Sequence, residues 1–276
     1  MLQFTVDNER CNRCGLCARD CVARIIEQTG DALPAINPAN ETRCMQCQHC
    51  LAVCPTGAVS ILGRSPAHSI ALSPDSLPGL EQMDLLLRAR RSTRHYKDEN
   101  VDAALLRRLL ATLANAPTGA NRRELTFHVI DDRQAMQRLR VKTLTALAAA
   151  VNSNSVPERL TYMRQAVPAY YEQGIDIIFR GAPHALIVSA PTDAPCPRED
   201  VALALAQFEL LAQCAGLGTV WWGMLKMLMA MLPELEPLLG VPKEHVYYAM
   251  LFGQPAIHFA RTVQRDDAAR VERVTV

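Results

Sequence analysis

Apolar and polar residues follow two different periods along the last two thirds of the 276-residue chain. Apolar positions that recur every three or four residues predict amphipathic helices at 81–91, 101–115, 134–150 and 199–215. Short apolar runs predict buried strands at 125–130, 185–190, 217–222 and 246–252. Helices and strands that follow one another in this way predict an α+β or mixed α/β domain.

A stretch rich in proline and serine precedes this region. Residues 64–80 contain three prolines, a composition typical of a linker. The chain is therefore predicted to comprise a small domain at 1–63, a linker at 64–80 and a larger domain at 81–276. Within the larger domain, residues 152–174 lack a clear period and mix aromatic with polar side chains. We predict that this segment forms a lid over a substrate.

Eight of the ten cysteines lie in two runs within the first 54 residues. Both runs have the same spacing, and they consist of Cys11, Cys14, Cys17 and Cys21, and of Cys44, Cys47, Cys50 and Cys54. Disulfide bonds and zinc sites are alternative uses of such cysteines. The first residues show no secretory signal, and zinc sites usually separate two ligand pairs by a longer loop. The pattern therefore favours iron–sulfur clusters, which take thiolates at four corners.

The two runs resemble the bacterial ferredoxins that carry two [4Fe-4S] clusters, and the resemblance covers residues 1 to about 63. The segment CPTGAVSIL after the second run also matches that family. The resemblance implies one cluster held by Cys11, Cys14, Cys17 and Cys54, and another held by Cys44, Cys47, Cys50 and Cys21. Val22 stands where proline is common, which affects only the local turn. His49 is expected to be a neighbour of the second run and not a ligand.

Three segments of the larger domain carry residues that are suited to ligand binding. Residues 90–94, RRSTR, place three guanidinium groups beside two hydroxyls, a combination that suits phosphate. Residues 117–121, PTGAN, form a turn in which glycine permits close backbone approach. Residues 216–223, GLGTVWWG, join a helix to a strand. Taken singly, the segments are also explained by a solvated helix end, a plain turn, and a helix cap followed by core tryptophans.

In this order and spacing, the three segments resemble the flavin signatures of the nitroreductase family. The segments IFRGAPHALIVSA at 178–190 and YAMLFGQP at 248–255 also match that family. The combination with the first 63 residues is similar to ferredoxin-fused nitroreductases. The resemblance implies a mixed sheet flanked by helices, an α+β fold, and a homodimer with FMN at the subunit interface.

The resemblance also implies roles for individual residues as cofactor contacts. Arg90, Arg91, Ser92 and Arg94 would bind the FMN phosphate, the ribityl chain and the pyrimidine oxygens; Pro117, Thr118, Gly119 and Asn121 would line the flavin from the second subunit; Gly223 and Met224 would approach its N5 atom. Arg261 and Arg265 would be the last phosphate contacts, with a solvated tail as the alternative. After Asn121, Arg123-Glu124-Leu125 replaces the Gln-Pro-aromatic sequence of many relatives, so the substrate pocket is not predicted. No catalytic side chain is assigned.

Composition excludes several classes of protein. Hydrophobic residues make up 49% of the chain, which predicts a folded core and not a disordered chain. The apolar run at 221–232 is too short for a membrane helix and contains Lys226. A net charge of +1 argues against a nucleic-acid partner. Cys196 and Cys214 are expected to be ordinary thiols in a reducing, cytoplasmic environment.

These observations predict an FMN-dependent, nitroreductase-like oxidoreductase. We expect electrons to pass through two [4Fe-4S] clusters to FMN and then to a small electron-poor acceptor of the nitroaromatic, quinone or enone type. The expected electron donor is a reduced ferredoxin or NAD(P)H. One alternative is a different flavin reduction, such as reductive dehalogenation. Another is a non-enzymatic electron-transfer adaptor or redox sensor, because the fold alone does not determine the chemistry.

Overall fold

The computed structural model describes residues 2–265 and 269–276, and the chain divides into two compact units. The first unit comprises Met1–Pro78 and Ala120–Arg122, and the second comprises Gly79–Gly119 and Arg123–Val276. The division after Pro78 falls within the predicted linker, 64–80. None of the helices in the described ranges is both long and apolar enough to cross a membrane.

The first unit consists of short elements. They are β1 (Thr5–Val6), α1 (Leu16–Asp20), β2 (Ile26–Glu27), β3 (Ala35–Ile36), α2 (His49–Ala52) and β4 (Val59–Ser60), with 3₁₀ turns at Pro38–Arg43, Pro66–His68 and Pro74–Ser76. Strand β1 pairs antiparallel with β4, and β2 pairs antiparallel with β3. The core is small: its buried side chains are Leu2, Cys17, Ile25, Ile26, Cys50, Leu51, Val59 and Ile61. So thin a core provides little hydrophobic stabilisation, so a group bound by the cysteines would add much to the stability of this unit.

The second unit is built around one four-stranded sheet. Its elements are α3 (Leu80–Ala89), α4 (Ala103–Thr112), β5 (Thr126–Ile130), α5 (Arg133–Asn152), α6 (Ala166–Gln173), β6 (His184–Pro191), α7 (Pro197–Cys214), β7 (Gly218–Trp221), α8 (Gly223–Met231) and β8 (His245–Gly253). The strand order is β5-β6-β8-β7, and each pair of neighbours is antiparallel. A parallel bridge between Ser92 and Thr219 extends the edge at β7, and among the described residues this bridge is what makes the sheet mixed.

Helices cover both faces of this sheet. Successive side chains of a strand point to opposite faces, so the central strand β6 contributes to two cores. Leu186 and Val188 pack with α4 and α7 residues such as Leu109 and Phe208. Their neighbours on the strand pack on the other face, against side chains of α5 and α8. Because both faces are covered, the strand is buried along nearly its whole length, and Ser189 is the one polar residue of its sequence ALIVSA.

Side chains fix where two of the helices begin. The Asp102 carboxylate accepts a hydrogen bond of 2.8 Å from the N–H of Leu105 and caps α4. The Asp132 carboxylate accepts one of 2.9 Å from the N–H of Ala135 and caps α5. Each cap satisfies an N–H group that has no partner within its own helix.

The structure contains all eight helices and strands predicted for the larger domain, with ends that differ by a few residues. Two further helices, α6 and α8, were not predicted. Helix α6 and the 3₁₀ segment Glu158–Gln165 fill much of the predicted lid region, 152–174. Met163 and Ala166 of this region are buried in the core that includes α5. Residues 152–174 therefore contribute to the core, and their role as a lid stays a prediction.

A polar chain crosses one end of the sheet. The buried Ser189 hydroxyl lies 3.0 Å from Nε2 of His128 and 3.0 Å from Nδ1 of His245. Burial lowers the pKa of His128, and the neighbouring His245 lowers it further.

Candidate functional site

The two cysteine runs have the same backbone conformation, 33 residues apart. In the first run, Arg13 and Gly15 have positive φ angles of 58° and 70°. In the second, Gln46 and Gln48 occupy the equivalent positions with φ angles of 53° and 60°. Left-handed residues on both sides of the second cysteine turn the chain sharply. The repeat therefore turns the chain sharply at the same place in both runs.

Each run then enters a short helix. Helix α1 carries Cys17 and helix α2 carries Cys50, and both thiols are buried. The fourth cysteines, Cys21 and Cys54, come after these helices. The equivalent helices place equivalent cysteines alike in the two halves of the unit.

The cysteines of the second predicted set line one cavity. Cys21, Cys44, Cys47 and Cys50 border a small pocket. The remaining wall is mainly apolar and includes Ile25, Ile26, Ile36 and Ile61. These four thiols are the set implied by the ferredoxin resemblance, and thiolates are the donors that an iron–sulfur cluster takes. Across the described part of the chain, no three His, Cys, Asp or Glu side chains converge as ligands of a metal ion.

His49 also borders this cavity, and its Nδ1 lies 3.2 Å from a carboxylate oxygen of Asp20. The histidine ring therefore lies within hydrogen-bond distance of an acidic side chain.

Burial and neighbouring thiols both affect the ionisation of the buried cysteines. Burial raises the pKa of Cys17, and the nearby Cys54 and Cys11 raise it further. Burial raises the pKa of Cys50 to about 12, with added contributions from Cys47, Cys44 and, more weakly, Cys17. Burial of this kind disfavours a bare thiolate, whereas a coordinating metal removes the proton outright.

Hydrogen bonds to sulfur distinguish Cys54 from the buried cysteines. Burial raises the pKa of Cys54, but hydrogen bonds from Ala58 N–H and Thr56 outweigh it, so the pKa lies below its usual value. The Ala58 nitrogen lies 3.2 Å from the sulfur and the Thr56 hydroxyl 3.7 Å. In the other predicted set, the Gln46 N–H donates to the Cys44 sulfur at 3.4 Å.

In the second unit, the first and third flavin-like segments lie side by side. The N–H of Thr93 donates to the Thr219 carbonyl at 2.8 Å, next to the bridge between Ser92 and Thr219. Gly218 makes this approach possible, because a Cβ atom there would lie 2.7 Å from the Cβ of the buried Thr93. Two segments about 125 residues apart thus form one edge of the sheet.

The three arginines of the first segment have different environments. Arg90 Nη1 donates to the buried Glu209 carboxylate at 3.0 Å. Arg91 donates through Nη2 to the Arg88 carbonyl, while its Nε is buried without a hydrogen-bond partner among the described residues. Arg94 is exposed and donates to the Ser92 carbonyl at 3.4 Å. An unpaired buried guanidinium nitrogen is costly, so Arg91 suits an anionic ligand that the protein does not supply.

The PTGAN turn is divided between the two units. In the second unit, the Gly119 N–H donates to both carboxylate oxygens of the buried Asp200, at 3.0 and 3.2 Å. Pro117 is exposed, and the hydroxyl of Thr118 accepts a hydrogen bond from Arg123 N–H.

Asn121 is grouped with the first unit, where its Nδ2 donates to the Met45 carbonyl at 2.8 Å. Its amide nitrogen is thus engaged beside the second cysteine run.

Gly223 begins α8, and Met224 follows it with a half-buried side chain. A Cβ atom at position 223 would lie 2.7 Å from the Tyr248 hydroxyl, so a larger residue there would have to displace the tyrosine side chain. Arg261 and Arg265 are exposed in the irregular segment that follows β8.

Two buried acids belong to this region and were not predicted from the sequence. Glu209 accepts hydrogen bonds from the side chains of Arg90, Thr219 and Trp221. Asp200 accepts a hydrogen bond from the backbone N–H of Gly119. A sequence signal existed for Glu209, because it falls on the apolar stripe of α7 formed by Leu205, Phe208 and Ala212. An acidic residue on a buried stripe requires a partner.

The sequence model of the nitroreductase family matches residues 87–254, more than half of the chain. The chain belongs to the nitroreductase family. It also matches the model of the 4Fe-4S dicluster domain over residues 10–59. Membership makes this nitroreductase-family protein a flavin-dependent oxidoreductase with a ferredoxin-type domain at its start.

Solved structures of nitroreductases share the fold of this family member. A nitroreductase with bound FMN from Bacteroides fragilis aligns with a TM-score of 0.51 at 23% identity, covering 68% of this chain and 97% of that one. A nitroreductase with bound FMN from Desulfitobacterium hafniense aligns with a TM-score of 0.53 at 22% identity, covering 68% and 96%.

Proposed function

We propose that the chain carries electrons from a one-electron donor, by way of two [4Fe-4S] clusters and FMN, to a small electron-poor acceptor. Acceptors of this kind are nitroaromatics, quinones and enones. Bound clusters supply one-electron chemistry, and bound FMN supplies two-electron reduction. The observation that carries the proposal is the cavity lined by Cys21, Cys44, Cys47 and Cys50 in a chain of the nitroreductase family.

The protein's contribution to the clusters is to hold eight thiols in two sets. The repeated left-handed turns support this role, because they give both runs the same curl. The proposed sets are Cys11, Cys14, Cys17 and Cys54, and Cys44, Cys47, Cys50 and Cys21. Metal coordination would also remove the cost of ionising the buried Cys50.

The protein's contribution to FMN is to supply charge and to allow close backbone approach. The free Nε of Arg91 supports a phosphate or carbonyl contact, and the exposed Arg94 adds positive charge nearby in sequence. Arg90 supports the site indirectly, since its ion pair with Glu209 ties the first segment to β7. Ser92, Pro117, Thr118, Gly119, Asn121, Gly223, Met224, Arg261 and Arg265 complete the proposed contacts.

We also propose that the enzyme is a homodimer. Helix α3 buries none of its described side chains, and Leu80, Leu85 and Leu87 are exposed on it. Ile257 and Phe259 after β8 are exposed as well. Apolar surface of this extent needs a cover, which a second copy would provide. Sedimentation analysis at micromolar concentration should give twice the 30.5 kDa chain mass, and a monomer would contradict this part of the proposal.

Anaerobic purification with iron, sulfide and flavin analysis tests the cofactors. We expect about eight irons and about one FMN per chain. The Cys47→Ser variant should lose about half of the iron and its turnover with reduced ferredoxin, while flavin reduced by dithionite still passes electrons to the acceptor. Cys214→Ser is the matched control, because this exposed cysteine lies outside both runs. Full ferredoxin-driven turnover in Cys47→Ser would contradict the electron path.

A further inference from the structure

The two halves of the first unit differ in the residue two positions after the fourth cysteine. Thirty-three residues separate Cys21 from Cys54, and the same interval separates Ala23 from Thr56. The second half therefore has a hydroxyl two residues after its fourth cysteine, whereas the first half has a methyl group. The backbone turns alike at both places, with φ of 50° at Arg24 and 61° at Gly57.

The Thr56 hydroxyl lies next to the sulfur of Cys54. Its Oγ1 is 3.7 Å from the sulfur, and the Ala58 N–H donates to the same sulfur at 3.2 Å. An iron-bound cysteine sulfur has no proton, so the hydroxyl must be the donor in this contact. The Cys54 sulfur thus has two donors, one of which depends on a side chain that mutation can remove.

In the other proposed set, the Gln46 N–H donates to the Cys44 sulfur at 3.4 Å, and the wall beside the thiols is mainly apolar. Its cavity is walled by Ile25, Ile26, Ile36 and Ile61. A one-electron reduction adds negative charge to a cluster without breaking any bond. Hydrogen bonds to its sulfurs stabilise that charge and raise the reduction potential, whereas apolar surroundings lower it. The Thr56 hydroxyl and the Ala58 N–H at the Cys54 sulfur therefore favour reduction of the set that contains Cys54.

We propose that Thr56 tunes the potential of the cluster held by Cys11, Cys14, Cys17 and Cys54, and makes it the first of the two to accept an electron. Thr56 is a positioning residue in this role, because it acts on the cluster through the Cys54 sulfur. The inference rests on the proposed function, since it requires that both clusters are present.

The test is a redox titration of the anaerobically purified full-length protein with dithionite, followed by electron paramagnetic resonance. The wild type should show two separate midpoint potentials. Thr56→Val removes the hydroxyl and keeps the shape, so it should lower the higher midpoint and leave the lower one unchanged. A tenfold shift in the distribution of the electron between the clusters corresponds to 59 mV. Thr56→Ser keeps a hydroxyl and should retain most of the wild-type potential.

The internal repeat provides the reciprocal variant. Ala23→Thr introduces a hydroxyl at the equivalent place beside Cys21 and should raise the lower midpoint. Unchanged midpoints in Thr56→Val with a full iron content would overturn the inference alone. A shift of the lower midpoint in Thr56→Val would also overturn it, because it would assign the hydroxyl to the wrong cluster. Protein without clusters would overturn the proposed function and this inference together.

Discussion

Glu209 offers the sharpest test of how the second unit holds its candidate flavin edge. One of its oxygens accepts from Arg90 at 3.0 Å and from Thr219 at 3.3 Å, and the other accepts from Trp221 at 3.2 Å. The Glu209 side chain is 9% exposed and that of Arg90 is 27% exposed. Glu209→Leu removes all three contacts at once and keeps a side chain of similar size.

The expected cost follows from what the substitution leaves behind. Removal of one partner from a fully buried ion pair costs about 3–5 kcal/mol. Arg90 is partly exposed and regains some hydration, which reduces this figure, whereas the buried Thr219 hydroxyl and the Trp221 N–H lose their acceptor. We therefore expect Glu209→Leu to lower the free energy of unfolding of the second unit by about 2–4 kcal/mol.

A double-mutant cycle separates the ion pair from the other contacts. Arg90→Met alone leaves the Glu209 charge buried, so it should also destabilise the unit. The double variant should cost less than the sum of the single variants by about 1–2 kcal/mol, because neither charge then remains without its partner. Urea unfolding monitored by tryptophan fluorescence gives these values for the second unit, since Trp221 and Trp222 are the only tryptophans. Strictly additive effects would refute the reasoning that the two charges stabilise each other.

Three further predictions concern the same unit. Gly223→Ala should destabilise it by about 1–3 kcal/mol through a clash with the Tyr248 hydroxyl, and adding Tyr248→Phe should recover most of the loss; no recovery would locate the strain elsewhere. Burial holds the pKa of His184 below its usual 6.5, so the unfolded chain binds the proton first and stability should fall as the pH drops below about 6.5. The fall in urea midpoint should be shallower in His184→Gln, and equal slopes would contradict the assignment. Asp102→Ala should cost about 1 kcal/mol in the same assay by removing the cap on Leu105 N–H, with Asp102→Asn as the near-neutral control; equal losses in both would argue against the cap.

Local patterns in the sequence predicted those parts of the structure that depend on nearby residues. The identical cysteine spacing of the two runs is matched by equivalent left-handed turns, because each turn is completed within a few residues. The strand at 185–190 was predicted from its apolar run, since a strand covered on both faces has few polar positions. The pairing of Arg90 with Glu209 spans 119 residues and follows from tertiary packing, which periodicity does not reveal. Helix α6 was not predicted because it has only eight residues and lies in a segment without a clear apolar period.

The Ser189 hydroxyl has consequences for the two histidines beside it. A hydroxyl carries a single hydrogen, so it donates to one ring nitrogen and accepts from the other. When both rings are neutral, one of the facing nitrogens, Nε2 of His128 or Nδ1 of His245, carries a hydrogen and the other does not. The tautomers of two side chains 117 positions apart are therefore correlated. To reverse the direction of these two hydrogen bonds, the hydroxyl must rotate and both imidazoles must change tautomer together.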